Sequence, residues 1–185
     1  FMKRTKPLLN LLFLLISSFS FAQDSLEIIN PFPLFPVTGV NAVVDTNHRL
    51  TINVTFENRN SKALKAYFKL GGFDYFGFTD DAGQRYKLHT STKLIGTKNV
   101  NDGYMNINSI SFGANRQDYF TYVQDTIKAG GSKHLSFNIN NFARQATSIA
   151  EIHITCKPSI EFSSQPEKAY VIKSIPINRL KRKNK

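Results

Sequence analysis

The sequence predicts an all-β protein, built as a single antiparallel β-sandwich of about seven to nine strands. Apolar and polar residues alternate with a period of two in segments 50–56, 64–70, 134–139 and 150–156, which is the pattern of strands that bury one face. Turn-forming residues recur between the predicted strands, roughly every ten positions. Only residues 140–146 could form a short helical turn. Short strands in two packed layers therefore fit the pattern best.

Each clear strand has a defined inner face. The residues predicted to face the core are Leu50, Ile52, Val54 and Phe56, then Leu64, Ala66, Phe68 and Leu70, then Leu135, Phe137 and Ile139, and last Ala150, Ile152, Ile154 and Cys156. Further strands are expected at 37–45, 119–125 and 170–177. The turns are expected at 57–62, 80–83, 101–103, 129–132 and 157–159, where Gly, Pro, Asn, Asp and Ser concentrate.

The N-terminal residues have the pattern of a cleaved signal peptide. Three basic residues precede an uncharged apolar run at 8–21, and the small residues Ser20 and Ala22 supply a cleavage site. The alternative is an N-terminal membrane anchor, but the run is shorter than the ~20 residues that a span needs. We therefore expect cleavage after Ala22 and export as a soluble periplasmic or extracellular protein. No cysteine lies near the cleavage site, so we do not expect a lipoprotein.

The mature chain is expected to have three parts. Residues 23–36 hold three of the seven prolines, which predicts an extended lead-in that crosses the surface to the first strand. Residues 37–178 are predicted to form the sandwich, and residues 179–185 a basic, disordered tail. With residues 1–22 as the signal peptide, this leaves one domain of ordinary size.

The single cysteine is predicted to be a core residue. Cys156 lies in phase with Ile152 and Ile154, as expected of a buried small hydrophobe. His153 is close in sequence, but its side chain would point to the opposite face of the strand, so it could not activate the thiol. One cysteine also allows no intrachain disulfide.

The basic charge is concentrated at the C-terminus. The net charge is +11, and it falls to +8 without the three basic residues of the signal peptide. Five of the remaining cations lie in the tail, at Arg179, Lys181, Arg182, Lys183 and Lys185. Nucleic-acid-binding domains usually spread such charge over a folded face, so no nucleic-acid partner is expected. The tail is either solvated charge or a weak contact with an anionic envelope polymer or lipid surface.

An aromatic-rich stretch at 73–88 contains two adjacent aspartates, Asp80 and Asp81. One interpretation is a metal site, and the other is a hairpin whose turn is 79–84. Calcium requires six or more oxygen ligands, and this loop lacks a patterned third acid. The hairpin is favoured because aspartates can accept backbone hydrogen bonds in a turn and Gly83 tolerates a positive φ.

The sequence contains none of the motifs that mark common catalytic sites, such as a G-x-S-x-G elbow or an H-E-x-x-H pair. His134 and His153 could share a metal only if their strands paired. The spacing of the acidic residues selects no catalytic pair. No catalytic residue, metal or cofactor is therefore predicted, and the protein is not expected to be an enzyme.

Three motifs between residues 50 and 154 carry a resemblance to a known family. They are a V-x-F-x-N strand end at Val54, Phe56 and Asn58, a D-x-x-G-x-x-Y hairpin at Asp80, Gly83 and Tyr86, and a glycine-containing strand entry at Ala129, Gly130, Ser132, Leu135 and Phe137. The sequence here resembles the uncharacterised Ig-like domains of bacterial exported proteins. The third motif carries one additional glycine, Gly131. The resemblance implies an Ig-like sandwich, and it supplies no catalytic residues.

These observations favour a non-enzymatic binding or structural module of the bacterial cell envelope, whose partner would be an envelope protein or a glycan. The alternative is a carbohydrate-binding accessory domain, or a small secreted enzyme, that uses exposed aromatic residues. Its sugar platform would be formed by Tyr67, Tyr75, Tyr104, Tyr119 and Tyr122. The sequence does not determine the oligomeric state.

Two further features are candidates for function. Residues 90–117 are rich in polar residues, and we expect a hairpin about Asp102 and Gly103 that projects from the edge of the sandwich and displays a binding loop. Ser25 and Thr126 lie in Asp-Ser/Thr-aliphatic tripeptides that resemble a bacterial O-glycosylation signal.

Overall fold

The computed structural model describes residues 25–70, 76–88, 105–117, 122–160 and 163–181. Within these ranges all regular structure is β, and no helix is present. The strands are β1 (Glu27–Ile29), β2 (Val37–Val44), β3 (Leu50–Glu57), β4 (Leu64–Lys69), β5 (Phe76–Asp80), β6 (Arg85–Leu88), β7 (Met105–Ile107), β8 (Ser109–Phe112), β9 (Asn115–Gln117), β10 (Tyr122–Ile127), β11 (Ser132–Ile139), β12 (Ser148–Ile160), β13 (Ser163–Ser164) and β14 (Lys168–Arg179). The predicted all-β class is confirmed.

The strands form one continuous, curled sheet that is mixed rather than wholly antiparallel. Its main order is β7-β6-β5-β12-β14-β2-β3-β11-β8-β9, and β10 joins through β4, which pairs with β12. Two pairs are parallel, β14 with β2 and β6 with β7. The expectation of purely antiparallel pairing is therefore wrong at these two places.

The parallel pair of β14 and β2 arises because β14 changes neighbours along its length. Its first part pairs with β12 up to Pro176, and Ile177–Arg179 then pair with β2. Ser174 has a φ of 56°, and proline supplies no ladder N–H. The ladder to β12 is therefore interrupted at Ser174, and β14 passes from β12 to β2 after Pro176, which joins the two parts of the sheet.

The core consists of the inner faces predicted by the alternation, with one correction: Ala150 is exposed and Ile149 is buried in its place, because the register of β12 shifts between Ile149 and Glu151. Phe56 is fully buried and its ring centroid lies 4.9 Å from that of Phe68 and 5.0 Å from that of Tyr170. Cys156 is also buried, as predicted. Phe35 of the lead-in lies 5.3 Å from Phe56 and is fully buried, so this segment packs into the core as well as crossing the surface.

The 73–88 stretch is a hairpin within its described residues. β5 and β6 pair through Phe78 and Tyr86. An oxygen of Asp80 accepts hydrogen bonds from the amides of Ala82 and Gln84 at 3.1 and 2.8 Å, and Gly83 has a φ of 79°. The turn interpretation is confirmed.

Asp81 has a longer-range role than the sequence indicated. Its carboxylate accepts hydrogen bonds from the hydroxyl and amide of Thr147 and from the amide of Ser148. Partial burial acts to raise its pKa, but these hydrogen bonds hold the pKa of Asp81 below its ordinary value. The hairpin turn is thereby attached to the start of β12.

Two predicted boundaries differ from the structure. Residues 157–159 were expected to form a turn, but β12 continues to Ile160 because Lys157, Pro158 and Ser159 pair with β4. Residues 105–117 were expected to belong to a projecting hairpin, yet β8 pairs with β11 and its Phe112 is fully buried. The predicted turn at Asp102 and Gly103 lies outside the described residues.

Candidate ligand-binding face

Three neighbouring strands, β10, β4 and β12, present one outer surface made of aligned side chains. The strand registers place nine residues on it in three rows, which are Tyr122, Lys69 and Thr155, then Gln124, Tyr67 and Lys157, and then Thr126, Lys65 and Ser159. The intervening residues of β4, such as Phe68, are buried, so the nine lie on the outer side of the sheet, where Thr155 is itself buried. We call these nine residues the β10–β4–β12 face.

Two of the five predicted platform tyrosines meet on this face. Tyr67 and Tyr122 stack with their ring centroids 4.8 Å apart and their planes 19° from parallel. They lie on adjacent strands in neighbouring rows, which is the diagonal arrangement that long side chains can bridge. Tyr122 is exposed and Tyr67 is half-buried. Tyr75, Tyr104 and Tyr119 lie outside the described residues.

The stacked geometry determines what the two rings offer a ligand. Each ring covers one face of the other, so the pair presents outer ring faces and edges, not the flat row of rings expected of a broad sugar platform. Stacking contributes about 0.5–1.5 kcal/mol beyond the area that it buries. The pair is therefore a small, preordered apolar patch.

Lysines lie beside the tyrosine pair, one in each row. Lys65 and Lys69 are on β4, and Lys157 is on β12 directly opposite Tyr67. The Lys69 ammonium lies 3.3 and 3.5 Å from the two oxygens of Glu167. The face thus has one aromatic pair, bordered by lysines along β4 and on β12.

The inner side of the strands that carry the face packs against the core. The Phe68 ring lies 4.8 Å from Phe112 and 4.9 Å from Phe56. On β12, burial raises the pKa of the Cys156 thiol well above its ordinary value, as expected for a core residue. β4 is paired on both edges, so the outer side chains stand on a fixed backbone.

The two candidate glycosylation residues occupy different environments. Thr126 is exposed and belongs to the β10–β4–β12 face, in the same row as Lys65. Ser25 is also exposed, and it lines a surface cavity of about 720 Å³ together with Asp81 and Lys173. Both hydroxyl-bearing residues are accessible on the described surface.

Of the predicted tail cations, Arg179 is part of the fold. It is the last residue of β14, and its guanidinium donates hydrogen bonds to the carbonyl oxygens of Ala143 and Ala146 at 2.9 and 2.6 Å. Lys181 is exposed. The other three, Arg182, Lys183 and Lys185, lie outside the described residues. A tail that contacts an anionic surface would therefore begin after β14.

His134 and His153 lie on strands that do not pair with each other, so the condition for a shared metal is not met. β11, which carries His134, pairs with β3 and β8, whereas His153 on β12 lies 2.5 Å from Glu151. The part of the chain with described coordinates contains no group of three or more His, Cys, Asp or Glu residues that could hold a metal ion. The same part contains no helix long and apolar enough to cross a membrane.

Comparison with known proteins identifies no relative that assigns a function. No family model and no curated protein matches the chain. One similar solved structure is the Pseudomonas fluorescens alkylpurine DNA glycosylase AlkC bound to DNA containing an abasic site analog, at 8% identity and a TM-score of 0.21. The match covers 83% of this chain and 30% of that one, and at this TM-score it carries no argument about fold or function.

The lysines of the face were missed as a group by sequence reasoning. The alternation over 64–70 already placed Lys65, Tyr67 and Lys69 on one outer face. Lys157 was assigned to a turn, and nothing in the sequence pairs β12 with β4. For these lysines the sequence offered one signal, the lysine-tyrosine-lysine pattern at the outward positions of β4.

Proposed function

We propose that this chain is an exported, non-enzymatic binding module of the bacterial cell envelope, built as an Ig-like β-sandwich behind a cleaved signal peptide at residues 1–22. The signal-peptide pattern supports export. The all-β fold, with strands that enclose one aromatic core, supports the Ig-like assignment. The Asp80, Gly83 and Tyr86 motif supports it too, because these residues form a structural hairpin.

The observation that carries the proposal is the stacked pair of Tyr67 and Tyr122 on the β10–β4–β12 face. The pair is accessible, and it stands on strands whose other side belongs to the core. Tyrosine gives a large contact area with little loss of side-chain freedom, and rigid strands position a site better than loops do. The face is therefore suited to binding a ligand without rearrangement.

The carbohydrate-binding alternative is favoured by the same pair, because sugars present C–H faces that pack on aromatic rings. An enzyme would instead need a nucleophile or acid-base group aimed at a common point. Among the described acids, Asp80 bonds to Tyr86, Asp81 to Thr147 and Asp125 to Lys133. These contacts give the three acids structural roles. Between an envelope protein and a glycan, a glycan is the partner that we favour.

The test compares binding by the wild-type protein with binding by Tyr67→Ala/Tyr122→Ala, using a glycan array and a pull-down from the envelope fraction of the source cell. The matched control is Leu26→Ala/Leu34→Ala, which trims two exposed apolar side chains elsewhere. We expect the tyrosine variant to lose the retained glycan or protein and the control to keep it. Thermal unfolding checks that both variants fold. Unchanged retention by a folded tyrosine variant would refute the proposal.

A further inference from the structure

We propose that the β10–β4–β12 face binds a linear polysaccharide that carries carboxylates, that is, a polymer containing uronic acids. The inference rests on the proposed function of this face and specifies its ligand. The polymer would lie along the strands, with one sugar ring against the outer surface of the stacked Tyr67–Tyr122 pair and carboxylates toward Lys65, Lys69 and Lys157.

The spacing of the lysines indicates a polymer and not a single small anion. Lys65 and Lys69 are four residues apart on β4, which separates their Cα atoms by about 13 Å. Lys157 lies in the row between them, so successive rows place a cation about every 7 Å along the strand direction. A row of cations with this regular spacing matches an extended polymer with a repeating negative charge.

The combination of an aromatic pair with bordering lysines indicates a sugar acid. Tyr122 on β10 stacks on Tyr67 of β4, and the lysines flank Tyr67 along β4 and face it from β12. A uronic acid has the same combination, because its ring carries apolar C–H groups and its carboxylate projects from one edge. A neutral glycan would use the rings and make no charge contact with the lysines.

Single-stranded nucleic acid also carries charges and flat apolar groups, but this face suits it less well. Proteins that bind single strands stack successive bases on separate aromatic side chains. Here the two rings stack on each other, so they offer no pair of separate stacking positions. The nine residues of the face also include no arginine, the residue best shaped for bidentate phosphate contacts.

Replacing Glu167 provides a test in which the loss of a charged side chain should strengthen ligand binding. Its carboxylate contacts the Lys69 ammonium at 3.3 and 3.5 Å, in the place where a ligand carboxylate would bind. Exposed ion pairs of this kind are weak, so a ligand can displace Glu167. Removing its negative charge should strengthen the binding of an acidic polymer and leave the binding of a neutral polymer unchanged.

The experiment measures affinity for polygalacturonate and for the same polymer with its carboxyl groups methyl-esterified, which removes the charge and keeps the sugar backbone. The full chain is compared with Lys65→Gln/Lys157→Gln and Glu167→Gln. The control is Lys87→Gln/Lys173→Gln, which removes the same charge from strands outside the face. Measurements at low salt and at about 0.5 M salt separate screened charge contacts from ring contacts.

We expect the esterified polymer to bind about tenfold more weakly than the acidic one, and Lys65→Gln/Lys157→Gln to lose about tenfold in affinity for the acidic polymer, a change of about 1.4 kcal/mol. The control variant should change affinity by less than about threefold, and Glu167→Gln should tighten binding by about twofold to threefold. Thermal unfolding of each variant confirms that the comparison concerns folded proteins.

Four results would overturn the inference, and they leave the proposed function separately testable. Equal binding of both polymers would mean a neutral-glycan site, and the proposed function would stand if Tyr67→Ala/Tyr122→Ala lost that binding. Acidic binding that survives Lys65→Gln/Lys157→Gln would place the contact on another surface, such as the tail. Tighter binding of a thymidine oligonucleotide than of polygalacturonate would indicate a nucleic-acid site. Binding of neither polymer would refute the uronate ligand. The binding face itself would be refuted if Tyr67→Ala/Tyr122→Ala retained every partner that the wild-type protein retains.

Discussion

The side-chain amide of Asn58 donates a hydrogen bond to the carbonyl oxygen of Ile127, 69 residues away, across 3.1 Å. The same nitrogen lies 2.9 Å from the carbonyl oxygen of Lys62 and 3.1 Å from that of Lys128, so one of its two N–H groups is shared between two acceptors. Its own oxygen accepts from the amide of Asn60 at 3.0 Å. Asn58 is fully buried, so it fastens the loop after β3 to the turn before β11. This explains why asparagine ends the V-x-F-x-N motif.

Replacing this residue should be costly. Asn58→Ala would remove the two side-chain N–H groups that serve three carbonyl oxygens in a buried place, and we expect a loss of about 2–4 kcal/mol in the free energy of unfolding. Urea denaturation measures the loss. Asn41→Ala, at an exposed position of β2, is the control and should cost less than about 0.5 kcal/mol. Equal stability of the two variants would contradict the role given to Asn58.

The two buried tyrosine hydroxyls should differ in their contribution to stability. Burial raises the pKa of both Tyr86 and Tyr170, so each stays protonated and donates. Tyr86 donates to the carboxylate of Asp80 at 3.0 Å, whereas Tyr170 donates to the backbone carbonyl of Phe35 at 2.5 Å. Hydrogen bonds to charged acceptors contribute more than those to neutral ones.

We therefore expect Tyr86→Phe to lower the free energy of unfolding by about 1.5–3 kcal/mol and Tyr170→Phe by about 0.5–1.5 kcal/mol. Each change removes one oxygen and keeps the ring, so the two variants control for each other. Urea denaturation at neutral pH gives both values. A larger loss in Tyr170→Phe than in Tyr86→Phe would show that the acceptor's charge does not decide the difference.

Asp81 should make stability depend on acidity. Its pKa in the folded protein lies below the ordinary value of 3.8, so its stabilising effect is present above that value and is lost as the pH falls through the lower folded-state pKa. The carboxylate is exposed, which keeps the effect below about 1 kcal/mol. Denaturation curves from pH 5 downward, to about pH 2, measure it.

In Asp81→Asn the stability should change less over this interval than in the wild-type protein, because the titrating group is gone. Thr147→Ala keeps the carboxylate but removes the hydroxyl that donates to it at 2.5 Å, so its pH dependence should be intermediate. Parallel curves for the wild type and both variants would assign the acid sensitivity to other groups.

Binding of anionic surfaces by the C-terminal tail should be separable from the fold. Truncation after Leu180 keeps Arg179 and the hydrogen bond from the Leu180 amide to Val44, and it removes four cations. Each cation near an anionic bilayer contributes about 1 kcal/mol, and salt screens the attraction. We expect weaker co-sedimentation with anionic vesicles at low salt and an unchanged unfolding temperature. Equal sedimentation by both proteins would exclude the tail as the contact.

The sequence by itself determined which residues face inward along the clear strands, except at Ala150, where the register of β12 shifts. It also determined the local turn at Asp80 and Gly83. Both follow from short-range rules. Side chains alternate between the two faces of any strand, and a tight turn needs particular residues within a few positions. This is why Phe56, Phe68 and Cys156 could be assigned to the core before any strand had a partner.

Only the tertiary structure decided which strands lie side by side. Lys157 lies in a strand because β12 pairs with β4. The Asp81 carboxylate accepts a hydrogen bond from Thr147, which is 66 residues away. The stacking of Tyr67 on Tyr122 likewise requires β4 and β10 to be neighbours. Pairing depends on the summed packing of the whole core, which alternation within one segment does not encode. The β10–β4–β12 face is therefore a property of the fold, assembled from three segments that are each unremarkable alone.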